Sequence, residues 1–430
     1  MTQIEIARSG QISDAVSYIA AQEHRSPEFI RKRVANGQIV IPANRLHHNL
    51  LPCGIGRELS TKINANIGNS TVASCTKAEM EKLHIALHYG ADTIMDLSTQ
   101  GDLAAFRKKM LGQCPVPIGT VPIYEIVARY GNDAFTPENI LAVIEEQARQ
   151  GVDYMTLHAG FLREYIPLAQ KRKLGVVSRG GALLALWMQT HQQENPFYTA
   201  FDDILEICHQ YDVTLSLGDA LRPGCLADSF DAAQFAELTT LSTLVKRARN
   251  AGVQVMVEGP GHVPLNEIRM NMLKERRLCD DAPFYILGPI VTDCAPGYDH
   301  FTASAGGMLG AFYGAAMLCY VTPKEHLGLP NLEDVRAGVV AFKIAAHAAD
   351  VASKKPNARE KDDAISDARA QFDWEKQFSY AIDPEKARAL REEALQESAS
   401  PACKNGDYCT MCGPDFCSIR ISNKLKHLLE

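Results

Sequence analysis

Near the end of the chain, Cys409, Cys412 and Cys417 stand in the string CTMCGPDFC, three thiols at x2 and x4 spacing. Thiolates are soft donors, and three on so short a stretch can hold an iron–sulfur centre with one position left open for chemistry. Structural zinc is the competing chemistry; it needs a fourth ligand, for which the sequence offers Cys403 or His427. Gly413 and Pro414 shape a tight loop of the sort that wraps a cluster.

A second group of candidates lies upstream. His262 ends EGPGH and His326 sits in TPKEHLGLP, and two imidazoles on neighbouring loops can share one metal whose other positions hold water. His300, in APGYDH, is a further ligand or proton donor. Glu258, close before His262, suits a hydrogen-bond acceptor or base. In SRGG, backbone N–H groups at a helix start with Arg179 beside them form a phosphate cradle, or simply a tight turn. Asp219 and Arg222 in GDALRPG are placed to read a polar ring or a ribose, or to pair with each other.

The elements that must position these residues follow a rhythm. Strand-like apolar runs recur at 63–69, 93–99, 116–124, 154–160, 176–181, 214–224, 253–262, 284–293 and 317–323, separated by stretches with apolar residues three and four apart. Such alternation predicts a parallel sheet, and the expected fold is an α/β (β/α)8 barrel, whose active sites gather at the C-terminal ends of the strands. Nine runs for eight places leave one as an extra strand or a loop. Asn66, Met95, Tyr124, His158, Ser178, Arg179, Asp219, Arg222 and Glu258 all close or follow a run. An open doubly wound sheet is the rival, but no GxGxxG follows the first strand. The expected domains are an N-terminal domain or lid at 1–58, the barrel at 59–331, a helical region at 332–398, and a flexible arm with the cysteine motif at 399–430.

The chain has 430 residues and a formal net charge of -7, with no basic groove expected for nucleic acid. No run approaches the ~18 apolar residues of a membrane span, and the N-terminus lacks the pattern of a secretory signal. The cysteines outside the tail are scattered singly among the 12 in the chain, which suggests a reducing cytoplasm rather than a disulfide framework.

The strings NANIGNS, GADTIMDLST, PVPIGTVPIY, GVDYMTLHAG, VSRGG, VQVMVEGPGHVPLN, APFYILGP, LCYVTPKEHLGLP and CTMCGPDFCS, in this order, closely resemble the phosphomethylpyrimidine synthase family of thiamine biosynthesis. That family is an unusual group of radical S-adenosylmethionine (SAM) enzymes that rearrange 5-aminoimidazole ribotide. The resemblance implies that Cys409, Cys412 and Cys417 ligate a [4Fe–4S] cluster that binds SAM, and that His262 and His326 hold Zn2+ or another divalent metal. It implies a ribotide site lined by Asn66, Met95, Tyr124, His158, Ser178, Arg179, Gly180, Asp219, Ala220, Leu221, Arg222, Glu258 and Tyr285. It also implies a homodimer, served by an electron donor the sequence does not identify. One-electron cleavage of SAM would yield a 5′-deoxyadenosyl radical that takes hydrogen from the ribose.

A paralogous branch, 5-hydroxybenzimidazole synthase, turns the same ribotide into the lower-ligand precursor of cobamides. Three departures from the thiamine pattern, at Ala220, Ala305 and Gln100, suggest that branch, because the two alanines are expected to reshape loops at the pocket edge. The expected product is therefore 5-hydroxybenzimidazole, with the pyrimidine phosphate as the alternative. Two further classes stay in view: a barrel metal-hydrolase using His262 and His326, and an electron carrier with a fully ligated cluster.

Overall fold

The computed structural model describes residues 1–70, 75–398, 401–404 and 406–429. His427, one of the two fourth-ligand candidates, lies outside the described side chains. Two short strands, β1 (Ile39–Val40) and β2 (Ile55–Gly56), pair antiparallel ahead of the main sheet. Eight parallel strands then close a barrel: β3 (Lys62–Ile67), β4 (Thr93–Asp96), β5 (Ile118–Thr120), β6 (Tyr154–Leu157), β7 (Thr214–Leu217), β8 (Val255–Gly259), β9 (Phe284–Leu287) and β10 (Met317–Cys319), with β10 pairing back to β3. Helices cover the outer face while side chains fill the interior, so nearly every strand residue is buried, and the strands read as apolar runs without alternation.

The surplus run was VVSRGG. Val176 and Val177 precede a helix, Arg179–His191, rather than forming a strand. The Ser178 hydroxyl accepts from Gly181 N–H at 3.3 Å, which commits the segment to a capped helix start. Other helices begin the same way, as at Thr136, whose side chain accepts from Asn139 N–H ahead of Pro137, and at Asn331, which forms a reciprocal box with Asp334.

Inside the barrel one side chain ties four strands together. Asn64 of β3 accepts at Oδ1 from the Tyr154 hydroxyl at 2.9 Å and the Thr93 hydroxyl at 2.9 Å, and its Nδ2 donates to the Tyr285 hydroxyl at 2.7 Å. A buried network this fully satisfied specifies one arrangement of its strands. Space for the Tyr154 ring comes from Gly119 on β5, where a Cβ would lie 2.2 Å from it.

The N-terminal residues are not a lid over the strand ends where the candidate residues gather. Ile4, Val16, Ile19, Ile30, Val34 and Ile41 form a small core of their own. Their segment is fastened to the opposite, N-terminal ends of the strands. The Thr2 hydroxyl donates to the Gly252 carbonyl at 2.6 Å, the Gln254 amide brackets the backbone of Ile41, and Asn44 Nδ2 reaches the carbonyls of Ala148 and Val152.

The chain forms two compact units, 1–356 and 357–430. The helix Leu332–Ala352 belongs to the first. It packs on helices Asp299–Phe312 and Thr76–His88 as the eighth barrel helix, so the first unit runs past residue 331. The second unit has its own small core, with Cys403, Tyr408 and Cys417 buried against Phe372, Leu395 and Ile419. The stretch expected as a flexible arm thus carries a short helix, Pro401–Lys404, and a buried cysteine, with 399, 400 and 405 outside the described residues.

Candidate active site

A cavity of about 770 Å³ opens at the C-terminal ends of the barrel strands. From β3, Asn66 reaches its wall, with Nδ2 donating to Cys319 Sγ of β10 at 3.1 Å. Met95 follows from β4, and Tyr124 from the helix after β5, its ring 5.1 Å beneath the Arg179 guanidinium. His158, after β6, pairs its Nε2 with the Ser178 hydroxyl at 3.1 Å. Burial first, and then the Arg222 charge, push this imidazole down to about 3, so it is neutral at physiological pH.

Arg222 Nε stands 3.1 Å from Asp219 Oδ1, but off line for a hydrogen bond; both Asp219 oxygens are buried without one. Burial lifts the Asp219 carboxyl to about 7, against the pull of Arg222 and with a push from Glu258. Glu258 of β8 takes two hydroxyl donors on Oε1, from Ser216 at 2.6 Å and Thr156 at 2.7 Å. Burial raises this carboxyl as well, while Arg222 and the hydroxyls draw it down.

At the far side of the mouth the rings of His262 and His326 lie 5.2 Å apart between centroids. His262 Nδ1 donates to Asp293 Oδ1 at 2.7 Å. Burial keeps this ring below the usual imidazole range even so. Among the described residues no three His, Cys, Asp or Glu side chains are gathered closely enough to hold a metal ion.

Several expectations change here. Gly180, Ala220 and Leu221 stand behind the cavity wall. The N–H groups of Ala220 and Leu221 donate to the Glu237 carboxyl at 2.9 and 2.7 Å and so anchor the loop that presents Asp219 and Arg222. Gly180 makes room for a neighbour: a Cβ there would lie 2.5 Å from the His158 ring. Gly180→Ala is therefore expected to displace His158 and lower kcat/KM by about 10- to 100-fold with the helix content unchanged, read by steady-state rates beside circular dichroism. His300 does not reach the cavity; its ring packs on Phe301, 4.3 Å between centroids, on the outward helix Asp299–Phe312. Ala305 is exposed on that same helix, away from any pocket edge. Gln100 donates to the Ser70 carbonyl at 2.5 Å and does not line the cavity.

Residues that the sequence reading passed over join the site. Asp293 and Asp299 flank the histidine pair, Cys319 and Glu325 line the wall, and Thr156 and Ser216 hold Glu258. Asp293 and Asp299 sit in the string TDCAPGYDH, where an acid on either side of a turn was the available signal.

In the second unit, Cys409 and Cys412 are half-buried and Cys417 is buried. Desolvation first, then Cys409 and Cys417, hold the Cys412 thiol above its ordinary range; the three sulfurs share one short loop. As a donor set they fit an iron–sulfur cluster. Cys403 packs in the same small core as Cys417, with its thiol donating to the Tyr408 carbonyl at 3.5 Å.

A family model described as the radical SAM ThiC family matches residues 2–424. The chain belongs to this family. It is accordingly a radical SAM enzyme of the carbon–carbon lyase type, a class defined by an iron–sulfur cluster and SAM. It is 58% identical over 421 residues to a phosphomethylpyrimidine synthase from Natronomonas pharaonis, covering 98% of this chain and 88% of that one. A protein of the same name from Halobacterium salinarum is 55% identical with the same coverage. Among solved structures, a dihydropteroate synthase from Coxiella burnetii matches 72% of this chain and 99% of its own with a TM-score of 0.43 and 12% identity, a likeness too loose to bear on function. Among the described residues no helix is long and apolar enough to cross a membrane.

Proposed function

We propose that the chain is a phosphomethylpyrimidine synthase, converting 5-aminoimidazole ribotide to 4-amino-5-hydroxymethyl-2-methylpyrimidine phosphate for thiamine. The observation that carries this reading is the identity of 55–58% over 98% of the chain to proteins of that name. The reading of the product as 5-hydroxybenzimidazole gives way to it. Ala220 and Ala305, the residues expected to reshape the pocket edge, do not lie on it: the first backs the wall and the second is exposed on an outer helix.

Cys409, Cys412 and Cys417 would hold the [4Fe–4S] cluster, which with SAM supplies a one-electron route to a carbon radical. The chain's own residues do the rest. The start of helix Arg179–His191, with the Arg179 guanidinium, offers N–H groups and charge to the ribotide phosphate. His158 is neutral, so it can accept a hydrogen bond from the substrate without adding positive charge. Asp219, whose carboxyl oxygens have no hydrogen-bond partner, is free to accept from the ribose or the ring, and Glu258, which lines the cavity from β8, is the candidate base. Zn2+ or another divalent ion at His262 and His326, a homodimeric state, a cytoplasmic location and a separate electron donor complete the proposal.

Assay of the reconstituted enzyme without oxygen, with the ribotide, SAM and a reductant, tests the product. The phosphorylated pyrimidine is expected; 5-hydroxybenzimidazole would overturn this reading.

Asp219 gives a further check. Its folded value of about 7 lies above its ordinary 3.8, so between these limits the folded chain holds a proton that the unfolded chain has released. Its contribution to stability is full below the lower value and is lost as pH rises through the upper one. Thermal melting of the cluster-free chain from pH 5 to pH 7.5 should show Tm falling less steeply for Asp219→Asn than for the parent.

A further inference from the structure

The histidine pair has an unassigned second layer. The Nδ1 atom of each ring faces a carboxylate: His262 Nδ1 lies 2.7 Å from Asp293 Oδ1, and His326 Nδ1 lies 3.9 Å from Asp299 Oδ1. A carboxylate can only accept, so the hydrogen bond to Asp293 fixes the proton of His262 on Nδ1 and leaves the Nε2 lone pair free. The second contact is longer, yet Asp299 is only 5% exposed, and its Oδ2 is buried without any hydrogen-bond partner. The His326 ring nitrogen is the group that faces this carboxylate, on its Oδ1 side. His326 itself has φ +60, a left-handed backbone that a non-glycine residue rarely adopts, so the loop bears a cost to present this residue here. The backbone of His262 is fixed as well, its main-chain N–H donating to the Pro223 carbonyl at 3.1 Å.

We propose that Asp293 and Asp299 are positioning carboxylates that set both histidines in the Nδ1–H tautomer, so that two Nε2 atoms converge as a site for one divalent cation at the barrel mouth. Metal-bound histidines are commonly oriented in this way, and loss of the orienting group typically weakens binding by about 10- to 100-fold. The inference rests on the proposed metal at His262 and His326, and it adds the two residues that would make that site selective and tight.

The test uses the full-length holoenzyme, with the cluster occupying the cysteines, dialysed against buffered Zn2+ and assayed for bound zinc. The parent is expected to bind one zinc per chain beyond the background of the His262→Ala/His326→Ala variant. Asp293→Asn and Asp299→Asn should each keep that stoichiometry while the dissociation constant rises 10- to 100-fold, with iron content and Tm unchanged. Asp293→Glu, which keeps the acceptor, should recover part of the loss. If the parent binds no zinc beyond that background, the metal reading itself fails. If the parent binds zinc and the two Asn variants bind it as tightly, the metal reading stands and the role of Asp293 and Asp299 is overturned. A purely structural carboxylate would lower Tm and leave the dissociation constant where it was.

Discussion

Replacing any one of Cys409, Cys412 or Cys417 by alanine is expected to bring iron and sulfide after reconstitution down to background and to abolish product formation. The reason is the size of the donor set. A cluster held by three thiolates has no redundancy, and the loss of one leaves two soft donors where the cluster needs three. Cys403 is the nearest further thiol in sequence, and it is already buried with its S–H directed at the Tyr408 carbonyl. Cys403→Ala is the matched control. It should keep the cluster and reduce Tm by only the few degrees that go with about 1 kcal/mol, because it removes a core atom and two weak hydrogen bonds, one to the Tyr408 carbonyl and one from Arg391. Iron and sulfide analysis with the electron paramagnetic resonance spectrum of the reduced protein separates the two outcomes. Retention of a full cluster by a triplet variant would remove these cysteines from the mechanism.

The control depends on how the segment before the triplet is held. The Arg391 guanidinium lies 3.9 Å over the Trp374 ring and donates to the carbonyls of Cys403 and Tyr408 at 3.0 and 3.3 Å, and Trp374 Nε1 donates to the Gly406 carbonyl at 2.8 Å. These contacts fix the turn that leads into Cys409. Reading that stretch from sequence gave a flexible arm, because Ser, Pro, Lys, Asn and Gly look alike whether or not a distant arginine collects their carbonyls.

The same distinction runs through the rest of the chain. The barrel was legible because eight buried parallel strands must be nearly all apolar, and that pattern survives in one dimension. Most wall residues were legible too, since polar groups at the ends of such strands have few other reasons to be there. What failed were assignments that depend on where a side chain points within a loop or helix turn. Ala220, Leu221 and Gly180 adjoin true wall residues and back the wall; His300 is buried beside Phe301 away from the cavity and Ala305 is exposed, both on a helix whose first residue, Asp299, is the one that faces the histidine pair. Thr156 and Ser216 were missed for the opposite reason. Small hydroxyls inside strands carry no signal until the carboxylate they serve is brought beside them from β8.

That carboxylate is the subject of the other large effect. Glu258→Gln is expected to lower kcat/KM by about 10²- to 10⁴-fold, the usual worth of a positioned acid or base, while Tm changes little because the amide oxygen can still accept from both hydroxyls. Burial raises the Glu258 carboxyl, and Thr156 and Ser216 counter that by bonding to its charged form. Removing them in Thr156→Val/Ser216→Ala takes away support for the carboxylate alone, so the carboxyl moves further up. A base must be deprotonated to act, and the acidic limb of the kcat/KM profile should therefore shift to higher pH in the double variant. Loss of about 1–2 kcal/mol of support corresponds to a fall of roughly 5- to 30-fold at a pH on that limb, recovered as the pH is raised. Initial rates across the pH range in which the cluster survives make the measurement. A uniform loss at every pH would assign the hydroxyls to packing, and an unshifted, fully active Glu258→Gln would move the base elsewhere on the cavity wall.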